Sequence, residues 1–465
     1  MPVSAHEIAA AAAAALQPGE RAWLVGGAVR DALLHELSPD VDLAVAGDCE
    51  RLARALGERL GGPVFTFSER FLTWRVVLEE GSVDLAPLRG PELADDLAAR
   101  DFTVNALARP VGGGDLVDPL GGRDDLRARR LHLCSPKAFS DDPLRVLRLV
   151  RQALQFDLEP DAAAVAAARA AAGSLSSVSG ERIEHELTAL LSLPAASAGV
   201  RRLADLGALA VVLPELDRCR GVAQNAYHHL DVFDHILEAL DHLPGIVEML
   251  GGERFLSAPA DAGLPGVEPL APLAWAVLLH DVAKPDVAAE RDGHIMFWDH
   301  DSLGAEMAVA VAQRLKTSRR FQDYLARLVR EHLRLGFLVR ELPLSRRALV
   351  RYRRAVEPFV FEAISLSCAD RVATRGERTP PRSLARHFRI ARDVYGDTPP
   401  APPRRLLSGE QVMDLLALDP GPEVGAALDA LQEEVDVGEV GDDEAARAFL
   451  LSWQRERGAA GEAEA

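Results

Sequence analysis

The chain has 465 residues, of which 48% are hydrophobic and 26% are charged, and its formal net charge is −19. That length allows two to four domains with full cores, and the acidic balance argues against a general nucleic-acid-binding protein. The sequence contains no apolar run of about 18 residues, so we expect no membrane span. Its four cysteines have no metal-type spacing, which favours free thiols and a cytoplasmic location.

The charge is unevenly distributed along the chain. The tail at 433–464 is strongly acidic, whereas lysine is scarce throughout. Arginines cluster at 127–130, 145–151, 319–320, 346–354 and 371–389. Arginine favours phosphate and base contacts, but a GC-rich genome would produce the same bias. The composition alone leaves both explanations open.

A strand, a glycine turn and a helix open the first domain. The apolar run at 23–25 is typical of a buried strand. Gly26 and Gly27 then interrupt the chain before a helical pattern at 29–37, with Arg30 in its first turn. Glycines at such a turn let the backbone approach a ligand and direct free N–H groups towards it. This stretch therefore predicts a phosphate-binding turn, with Pro39 ending the helix.

Two aspartates begin the next predicted strand. Residues two apart on a strand face the same side, so Asp40 and Asp42 point together while Val41 turns into the core. Two carboxylates beside a phosphate-binding turn suit Mg²⁺ that also contacts substrate phosphates. The combination favours phosphoryl or nucleotidyl transfer over a solvated acidic loop.

The pattern continues as a helix followed by three short strands. We predict a helix over 49–60 and strands over 64–67, 74–78 and 82–86. Asp84 lies on the third of these strands. It is either a third carboxylate of the site or the partner of an arginine.

Two further stretches carry polar groups at regular positions. Arg100 and Asn105 bracket a short apolar segment, which alone would be an ordinary helix or strand with polar ends. Further on, Asp142 is predicted to cap a helix that starts at Pro143. That helix repeats arginine every three residues, which places one basic face along it. Its arginines are Arg145, Arg148 and Arg151.

A second group of candidate ligands lies in the following helical region. The residues are His228, His229, His235, His280, Asp281, His300, His332 and Asp370. His235 lies on a helix predicted over 232–240, and Lys284 follows the His-Asp pair by three residues. A lone histidine on a helix is usually structural, but imidazoles and carboxylates together suit divalent metals. The Gly/Pro-rich segment 244–272 is predicted to be a surface loop.

These motifs together resemble class II tRNA nucleotidyltransferases and bacterial poly(A) polymerases. The motifs are the Gly-Gly-x-x-Arg-Asp turn with Asp-x-Asp, the Arg-Asp-Phe-Thr-Val-Asn-Ala stretch at 100–106, the Asp-Pro-Leu-Gly-Gly turn at 118–122 and Asp-Asp-Pro-Leu-Arg at 141–145. The resemblance covers roughly residues 20 to 390. Asp141 departs from the family pattern, in which glutamate is common.

The resemblance implies an α+β fold with four parts. A polymerase-β-like head with a mixed sheet and helices would occupy 1–135, and an all-α neck that selects the nucleotide and binds RNA would occupy 136–220. An all-α HD phosphohydrolase-type domain would follow at 221–390. A linker and a helical acidic tail would fill 391–465.

The resemblance also implies roles in the head. Asp40 and Asp42 would be catalytic and would hold two Mg²⁺ ions, while Asp142 and Arg145 would read base edges as a complementary base does. The full nucleotide-binding set would be Gly26, Gly27, Arg30, Arg100, Asn105, Asp142, Arg145, Arg148 and Arg151. Arginines further along the helix would meet the triphosphate.

In the HD superfamily, the matching residues form a metal centre. The metal set would be His235, His280, Asp281 and Asp370, with His300, His332 and Lys284 as accessory residues. Mn²⁺, Fe²⁺, Ni²⁺, Co²⁺ or Mg²⁺ would suit these ligands and activate water against a phosphate ester. The alternative is an HD domain with a structural role only.

The implied reaction transfers nucleoside monophosphates from CTP or ATP to the 3′ end of tRNA. Family members that add all of CCA carry a flexible loop between the first two motifs, and the segment 84–100 is compact here. We therefore favour addition of CC only, with a separate A-adding enzyme acting on the product. Three rivals remain: a poly(A) polymerase, a protein-modifying uridylyltransferase, and an HD phosphohydrolase with an inactive head.

Overall fold

The computed structural model describes residues 3–35, 40–68, 72–380, 382–395 and 405–463. The chain divides into two compact units, Met1–Pro214 and Glu215–Ala465. None of the helices in these ranges combines the length and the apolar character needed to cross a bilayer.

The first unit is built on a six-stranded mixed sheet in the order β3-β4-β5-β2-β1-β6. Only β2 and β5 pair in parallel; the other neighbours are antiparallel. Its strands are β1 (Arg21–Val25), β2 (Asp40–Ala46), β3 (Val64–Ser68), β4 (Thr73–Val77), β5 (Ser82–Pro87) and β6 (Ala108–Pro110). A two-residue parallel pair joins β7 (Arg130–Leu131) to β8 (Glu159–Pro160).

The two faces of the sheet are covered differently. The row Val41, Val83, Val76 and Val64 runs across four strands, and at its end Val64 packs on Gly57 of a helix. On the other face, Trp23, Val25 and Ala44 form a cluster with residues of the segment that follows β5. This second face carries Asp42, so it is the face that positions the site.

Twelve helices accompany the strands up to residue 217 in the described part of the chain. They are α1 (Ala5–Ala15), α2 (Gly27–Leu33), α3 (Cys49–Leu60), α4 (Leu93–Ala98), α5 (Gly122–Arg127), α6 (Ala138–Asp141), α7 (Arg145–Gln155), α8 (Ala162–Ala171), α9 (Gly180–Leu191), α10 (Ala196–Asp205), α11 (Leu209–Val212) and α12 (Pro214–Asp217). Helix α2 ends at Leu33, earlier than predicted, while the predicted helix end at Pro39 lies outside the described residues.

The second unit is largely helical. Its remaining helices are α13 (Val232–Leu250), α14 (Pro259–Ala262), α15 (Ala271–Leu279), α16 (Lys284–Val287), α17 (His300–Arg314), α18 (Arg319–Glu331), α19 (Arg334–Phe337), α20 (Arg346–Val356), α21 (Val360–Val372), α22 (Ser383–Tyr395), α23 (Gly409–Leu416), α24 (Pro422–Val437) and α25 (Asp443–Ala463). One hairpin departs from the all-α expectation: β9 (Ala288–Arg291) and β10 (His294–Phe297).

The predicted surface loop at 244–272 is wrong. Helix α13 continues through Pro244 to Leu250, and α14 and the start of α15 lie in the same segment. The buried side chains Ile246 and Val247 hold this part of α13 against the core. Burial of apolar side chains therefore outweighs the helix-breaking tendency of Pro244.

The acidic tail folds onto one of the arginine clusters. Arg347 of α20 lies 2.5 Å from the carboxylate of Glu434 and 3.1 Å from that of Glu433 on α24. Arg351 also reaches Glu433, at 2.7 Å. The carboxylates of α24 thus neutralise the basic face of α20.

Candidate active site and metal centre

The sheet brings three carboxylates to adjacent strands. Asp42 on β2 lies directly opposite Asp84 on β5, and Asp40 lies opposite Ser82. The Ser82 hydroxyl donates a 2.8 Å hydrogen bond to Asp40. Of the two alternatives for Asp84, the arginine pairing is observed: Arg75 donates to both of its oxygens, at 2.6 and 2.7 Å. Asp84 is nevertheless the cross-strand neighbour of Asp42.

The surroundings of Asp42 favour a cation beside it. Crowding of its carboxyl by protein atoms raises its pKa, and the negative charges of Asp84 and Asp40 act in the same direction. Arg100 and Arg148 oppose them. Since carboxylate oxygens close together are the ligands that a hard cation prefers, the donor set fits a divalent ion such as Mg²⁺.

The glycine turn closes over this carboxylate. Gly26 has φ +68°, and a Cβ atom there would lie 2.9 Å from Nη1 of Arg100 and 3.5 Å from Oδ2 of Asp42. Only glycine fits this left-handed backbone without strain. The turn, Arg100 and Asp42 therefore lie in direct proximity, as the sequence predicted for a phosphate- and metal-binding unit.

An open pocket of about 410 Å³ lies beside the turn. It is lined by Gly26, Gly27, Arg30, Asp42, Arg89, Arg100, Asp101, Asn105, Asp142, Arg145, Arg148, Arg151, Gln152 and Gln155. All nine residues predicted to bind the nucleotide belong to this lining. Asp40 is not part of the lining and lies two residues before Asp42 on β2. The pocket is strongly basic, which suits a polyphosphate.

Arg30 is fixed by protein partners on all sides. Its Nη1 donates a 2.6 Å bond to Asn105, its Nε donates a 2.8 Å bond to Asp31, and its guanidinium lies 3.8 Å from the ring centroid of Phe156. Asn105 in turn donates to Asp101 at 2.9 Å. Arg30 is only 8% exposed, so its side chain is held in one orientation where it lines the pocket.

Buried acids hold the other arginines, and sequence reasoning missed these residues. Asp101 lies 2.8 Å from Arg148, and Glu186 lies 2.7 Å from Arg151. Asp96 contacts Arg100 at 3.0 Å. The four-residue spacing from Asp96 to Arg100 on a helical pattern was the available signal, and Asp101 lies within the motif at 100–106. Nothing in the sequence connects Glu186 with Arg151.

The predicted helix cap at Asp142 is wrong. Helix α7 begins at Arg145, with Leu144 in the capping position. Asp142 instead pairs with Arg182 at 2.7 Å and accepts a 3.2 Å bond from the N–H of Leu144. The turn at 142–144 therefore directs the Asp142 carboxylate towards α9 and the pocket, rather than along the helix axis.

Arg145 is positioned through backbone carbonyls. It donates to the carbonyl oxygens of Ala99 at 2.8 Å, Ala138 at 3.2 Å and Arg100 at 3.3 Å. These bonds set the plane of its guanidinium beside Asp142, so both predicted base-reading groups face the same pocket.

The second unit brings the predicted HD residues into one buried cluster. Asp281 is its centre: its carboxylate lies 3.2 Å from His280, 3.4 Å from His235 and 3.4 Å from His300. His332 is 3.8 Å from the same carboxylate. Asp370 reaches the cluster through His235, at 3.1 Å. The helices α13, α15, α17, α18 and α21 converge here.

The imidazoles share one arrangement. The Nδ1 atoms of His280, His300 and His332 each lie 2.6 to 2.7 Å from a carbonyl oxygen three residues earlier. This contact fixes the tautomer, so that Nε2 faces the centre of the cluster. Burial lowers the pKa of His332 to about 4, which keeps that ring neutral.

The centre of the cluster fits a divalent metal. The buried Nε2 atoms of His235, His280, His300 and His332 face the Asp281 carboxylate without forming hydrogen bonds to it within the described residues, while Lys284 pairs with one of its oxygens. Unsatisfied buried polar atoms are costly, and a metal ion would satisfy them. The geometry groups His235, His280 and Asp370 as one candidate ligand set, and Asp281, His300 and His332 as another.

Lys284 completes the cluster as predicted. Its ammonium lies 2.5 Å from Asp281 and donates a 2.7 Å bond to Gln224. His228 packs edge-on against His235, with ring centroids 5.0 Å apart. Burial, followed by the positive charge of Lys284, lowers the pKa of His228 to about 3. His228 is therefore a neutral ring at the edge of the cluster.

Comparison with known proteins gives three consecutive family matches. The family described as the poly A polymerase head domain matches residues 22–92 and 89–132. A probable RNA and SrmB-binding site of polymerase A matches 155–220, and the HD domain matches 232–375.

Relatives match along most of the chain. The A-adding tRNA nucleotidyltransferase of Deinococcus radiodurans is 41% identical, covering 94% of this chain and 96% of its own. The CC-adding tRNA nucleotidyltransferase of Thermus thermophilus is 38% identical, covering 93% and 94%. A CCA-adding enzyme in its apo form I superposes with a TM-score of 0.61 at 19% identity, covering 96% and 93%. The predicted α+β fold class is thereby confirmed.

Proposed function

This chain belongs to the tRNA nucleotidyltransferase family, and from that premise we propose that it adds C residues to the 3′ end of tRNA, taking them from CTP and releasing pyrophosphate. The observation that carries the proposal is the single pocket in which Asp42, the glycine turn and the arginines of α7 meet. One side of this pocket suits a metal-bound phosphate, and the other presents charged groups to a base.

We propose separate roles for the two sides of the pocket. Gly26 and Gly27 offer backbone close to the phosphates, and Arg100, Arg148 and Arg151 neutralise their charge. Because buried acids hold these guanidiniums, they need little reorganisation when substrate binds. Arg30 and Asn105, which are hydrogen-bonded to each other, support the glycine turn. The nucleotide is thus oriented before the acceptor arrives.

Asp142 and Arg145 are the proposed base-reading pair. A carboxylate accepts from the amino group of C or A, while a guanidinium donates to ring acceptors. The ion pair between Asp142 and Arg182 and the three carbonyl contacts of Arg145 hold both groups in place. Their rigidity supports selection by fixed hydrogen-bond geometry, with tRNA phosphates contacting arginines of the neck.

The family and both donor sets support dependence on divalent metal. We propose that Asp40 and Asp42 hold Mg²⁺, which when bound lowers the pKa of the acceptor hydroxyl and stabilises the leaving pyrophosphate. Asp84 stays paired with Arg75 and adds negative charge beside Asp42. In the second unit, the HD residues would hold one or two divalent ions, with Mg²⁺ or a transition metal suiting the histidine-rich set.

The choice of nucleotide has two candidates. The compact segment between β5 and α4, with five residues from Leu88 to Glu92 joining them, supports CC addition, and relatives of this activity match along the chain. Addition of A alone is the second candidate, favoured by the 41% identity to the A-adding relative.

Primer extension separates these candidates. Purified protein with Mg²⁺ is given tRNA transcripts ending at the discriminator base, at C or at CC, together with CTP, ATP or both. We expect two additions with CTP and no further addition with ATP. Extension only of the CC-ending transcript, and only with ATP, would establish an A-adding enzyme instead.

The remaining outcomes address the other rivals. Three additions would mean a complete CCA-adding enzyme, and a long ladder with ATP alone would mean a poly(A) polymerase. Absence of any extension would remove tRNA as substrate and reopen the protein-modifying alternative. Hydrolysis of phosphate esters, assayed with each candidate metal, tests whether the HD centre has an activity of its own.

A further inference from the structure

Two phenylalanines on the outermost strand of the sheet are exposed. Phe65 and Phe67 of β3 are 45% and 51% exposed. β3 is the end strand in the order β3-β4-β5-β2-β1-β6. Exposed aromatic side chains on an edge strand promote aggregation unless they serve an interaction. The pair is therefore a candidate contact surface.

The strand register places Phe65 on the catalytic face. Phe65 lies opposite Arg75, Arg75 lies opposite Asp84, and Asp84 lies opposite Asp42. Directly paired residues of adjacent strands point to the same side. Phe65 is thus the far end of a continuous row that starts at Asp42, roughly 14 Å or three strand spacings away.

Phe67 joins the same surface through Arg75. The strand pairing shifts between Thr66 and Ser68, so Phe67 lies at a β-bulge or similar irregularity. Such irregularities change the direction of the side chain. The Arg75 guanidinium lies 3.8 Å from the centroid of its ring, while also binding Asp84. One arginine therefore links the aromatic pair to the carboxylates.

The row has two ends with different chemistry. At one end the turn at Gly26 and the arginine pocket receive the nucleotide, and the carboxylates of β2 and β5 lie between that pocket and β4. In phosphoryl transfer, the attacking and leaving oxygens lie roughly in line on opposite sides of the phosphorus. The acceptor strand therefore has to approach from the side away from the triphosphate, which is the side of β4 and β3.

We propose that Phe65 and Phe67 form a stacking platform for the unpaired bases at the acceptor end of the tRNA. Aromatic side chains bind single-stranded nucleic acid by stacking on base faces without regard to sequence. A few stacked nucleotides, each rising ~3.4 Å, span the distance from Phe65 to Asp42. Arg75, which is paired with Asp84, lies along this path and contacts Phe67. The proposal rests on the proposed function, because it assigns the acceptor strand of that reaction.

The test compares aromatic and non-aromatic side chains at both positions. In the double variant Phe65→Leu with Phe67→Leu, we expect a rise in KM for tRNA of about 5- to 140-fold, since stacking contributes about 1–3 kcal/mol per base. The affinity for CTP, measured without tRNA, should stay within about twofold. The double variant with tyrosine at both positions should retain wild-type KM because its rings still stack.

A fluorescent base reports the contact directly. Transcripts carrying 2-aminopurine in place of the discriminator base should be quenched on binding to wild-type protein, and this quenching should be lost with the leucine variant. Two matched controls should leave the KM for tRNA and the quenching unchanged. One is Thr66→Ala on the same strand, and the other is Phe337→Ala, which removes an exposed ring from the second unit.

Three results would overturn the platform. They are an unchanged KM for the leucine variant, an equal loss of affinity for a tRNA whose unpaired acceptor nucleotides have been removed, and quenching that persists in the leucine variant. Failure of wild-type protein to extend any tRNA would instead refute the proposed function. The quenching measurement distinguishes the two cases, because it needs binding and no transfer.

Discussion

The two sites of this chain hold their charges in opposite ways. In the head pocket, each of Arg30, Arg100, Arg148 and Arg151 has an acidic partner, and the pocket opens to solvent. In the HD centre, Asp281 and the surrounding imidazole nitrogens are buried and keep several atoms without hydrogen bonds. The arginines of the first site are paired with acids in a basic pocket that is open to solvent, whereas the second site is buried and its imidazole Nε2 atoms make no hydrogen bond within the described residues.

That difference indicates what each site is built to receive. Guanidiniums oriented by buried acids retain free N–H groups on the solvent side, which suits a large anion that binds and leaves in each catalytic cycle. Buried lone pairs that face one another suit a small cation that stays bound. Substitutions at four acidic residues test this contrast.

The largest effect is expected at the head carboxylates. Asp42→Asn keeps the shape of the side chain but removes the charge that attracts metal, so we expect transfer to fall by at least about 10³-fold. The transfer rate is measured from the extension of tRNA on gels. Metal content of the HD centre should not change; a parallel loss of bound metal there would show that the two sites are not independent.

The next effect separates the HD centre from transfer. Asp281→Asn removes the carboxylate at the centre of the cluster, and we expect divalent-metal affinity in this unit to fall by at least about 100-fold. Elemental analysis after dialysis measures it. The matched control is Asp286→Asn. Asp286 forms a partly exposed ion pair with Arg218 at 3.0 Å. A large loss of tRNA extension in Asp281→Asn would contradict the contrast between the sites.

A smaller effect is expected at a positioning residue. Glu186→Gln removes the charge that holds Arg151 and lies 3.6 Å from Arg148, so we expect KM for the nucleotide to rise about 10-fold. Glu181→Gln, exposed on the same helix, serves as control. If kcat fell while KM stayed constant, Glu186 would act on the transition state and not on nucleotide orientation.

The smallest effect is expected where the tail meets α20. Glu433→Gln weakens ion pairs at the surface, which contribute little and are screened by salt. We expect a slight decrease in Tm at low ionic strength that disappears at ~1 M salt, where the Debye length is ~3 Å. Differential scanning calorimetry at both salt concentrations measures it. A salt-independent decrease would indicate packing, not charge, as the basis of the contact.

Local sequence patterns were sufficient for much of the head. The helix over Cys49–Leu60 was predicted to the residue, and all nine predicted nucleotide-binding residues line one pocket. The helix follows from periodicity, whereas the nine pocket residues were implied by the resemblance of several motifs to the tRNA nucleotidyltransferase family. The seven predicted HD residues also lie in one cluster. They were grouped by the resemblance of their spacing to the HD superfamily, and not by the pattern of the individual helices.

Features that depend on distant partners were not predictable. Asp142 binds Arg182 from a helix that begins 38 residues later, and α7 itself begins only at Arg145. Glu186 reaches Arg151 only after two helices pack. Likewise, the continuation of α13 through Pro244 depends on burial of Ile246 and Val247. Each is a tertiary interaction that overrides a local preference.

The tail on α20 has a thermodynamic consequence for a chain whose net charge is −19. Nucleic-acid binding normally gains free energy when a basic surface releases condensed counter-ions from phosphates. Here α24 acts as a tethered counter-ion for Arg347 and Arg351. An RNA strand reaching these arginines would have to displace carboxylates, so the exchange would be nearly neutral. This basic cluster is therefore withheld from non-specific RNA.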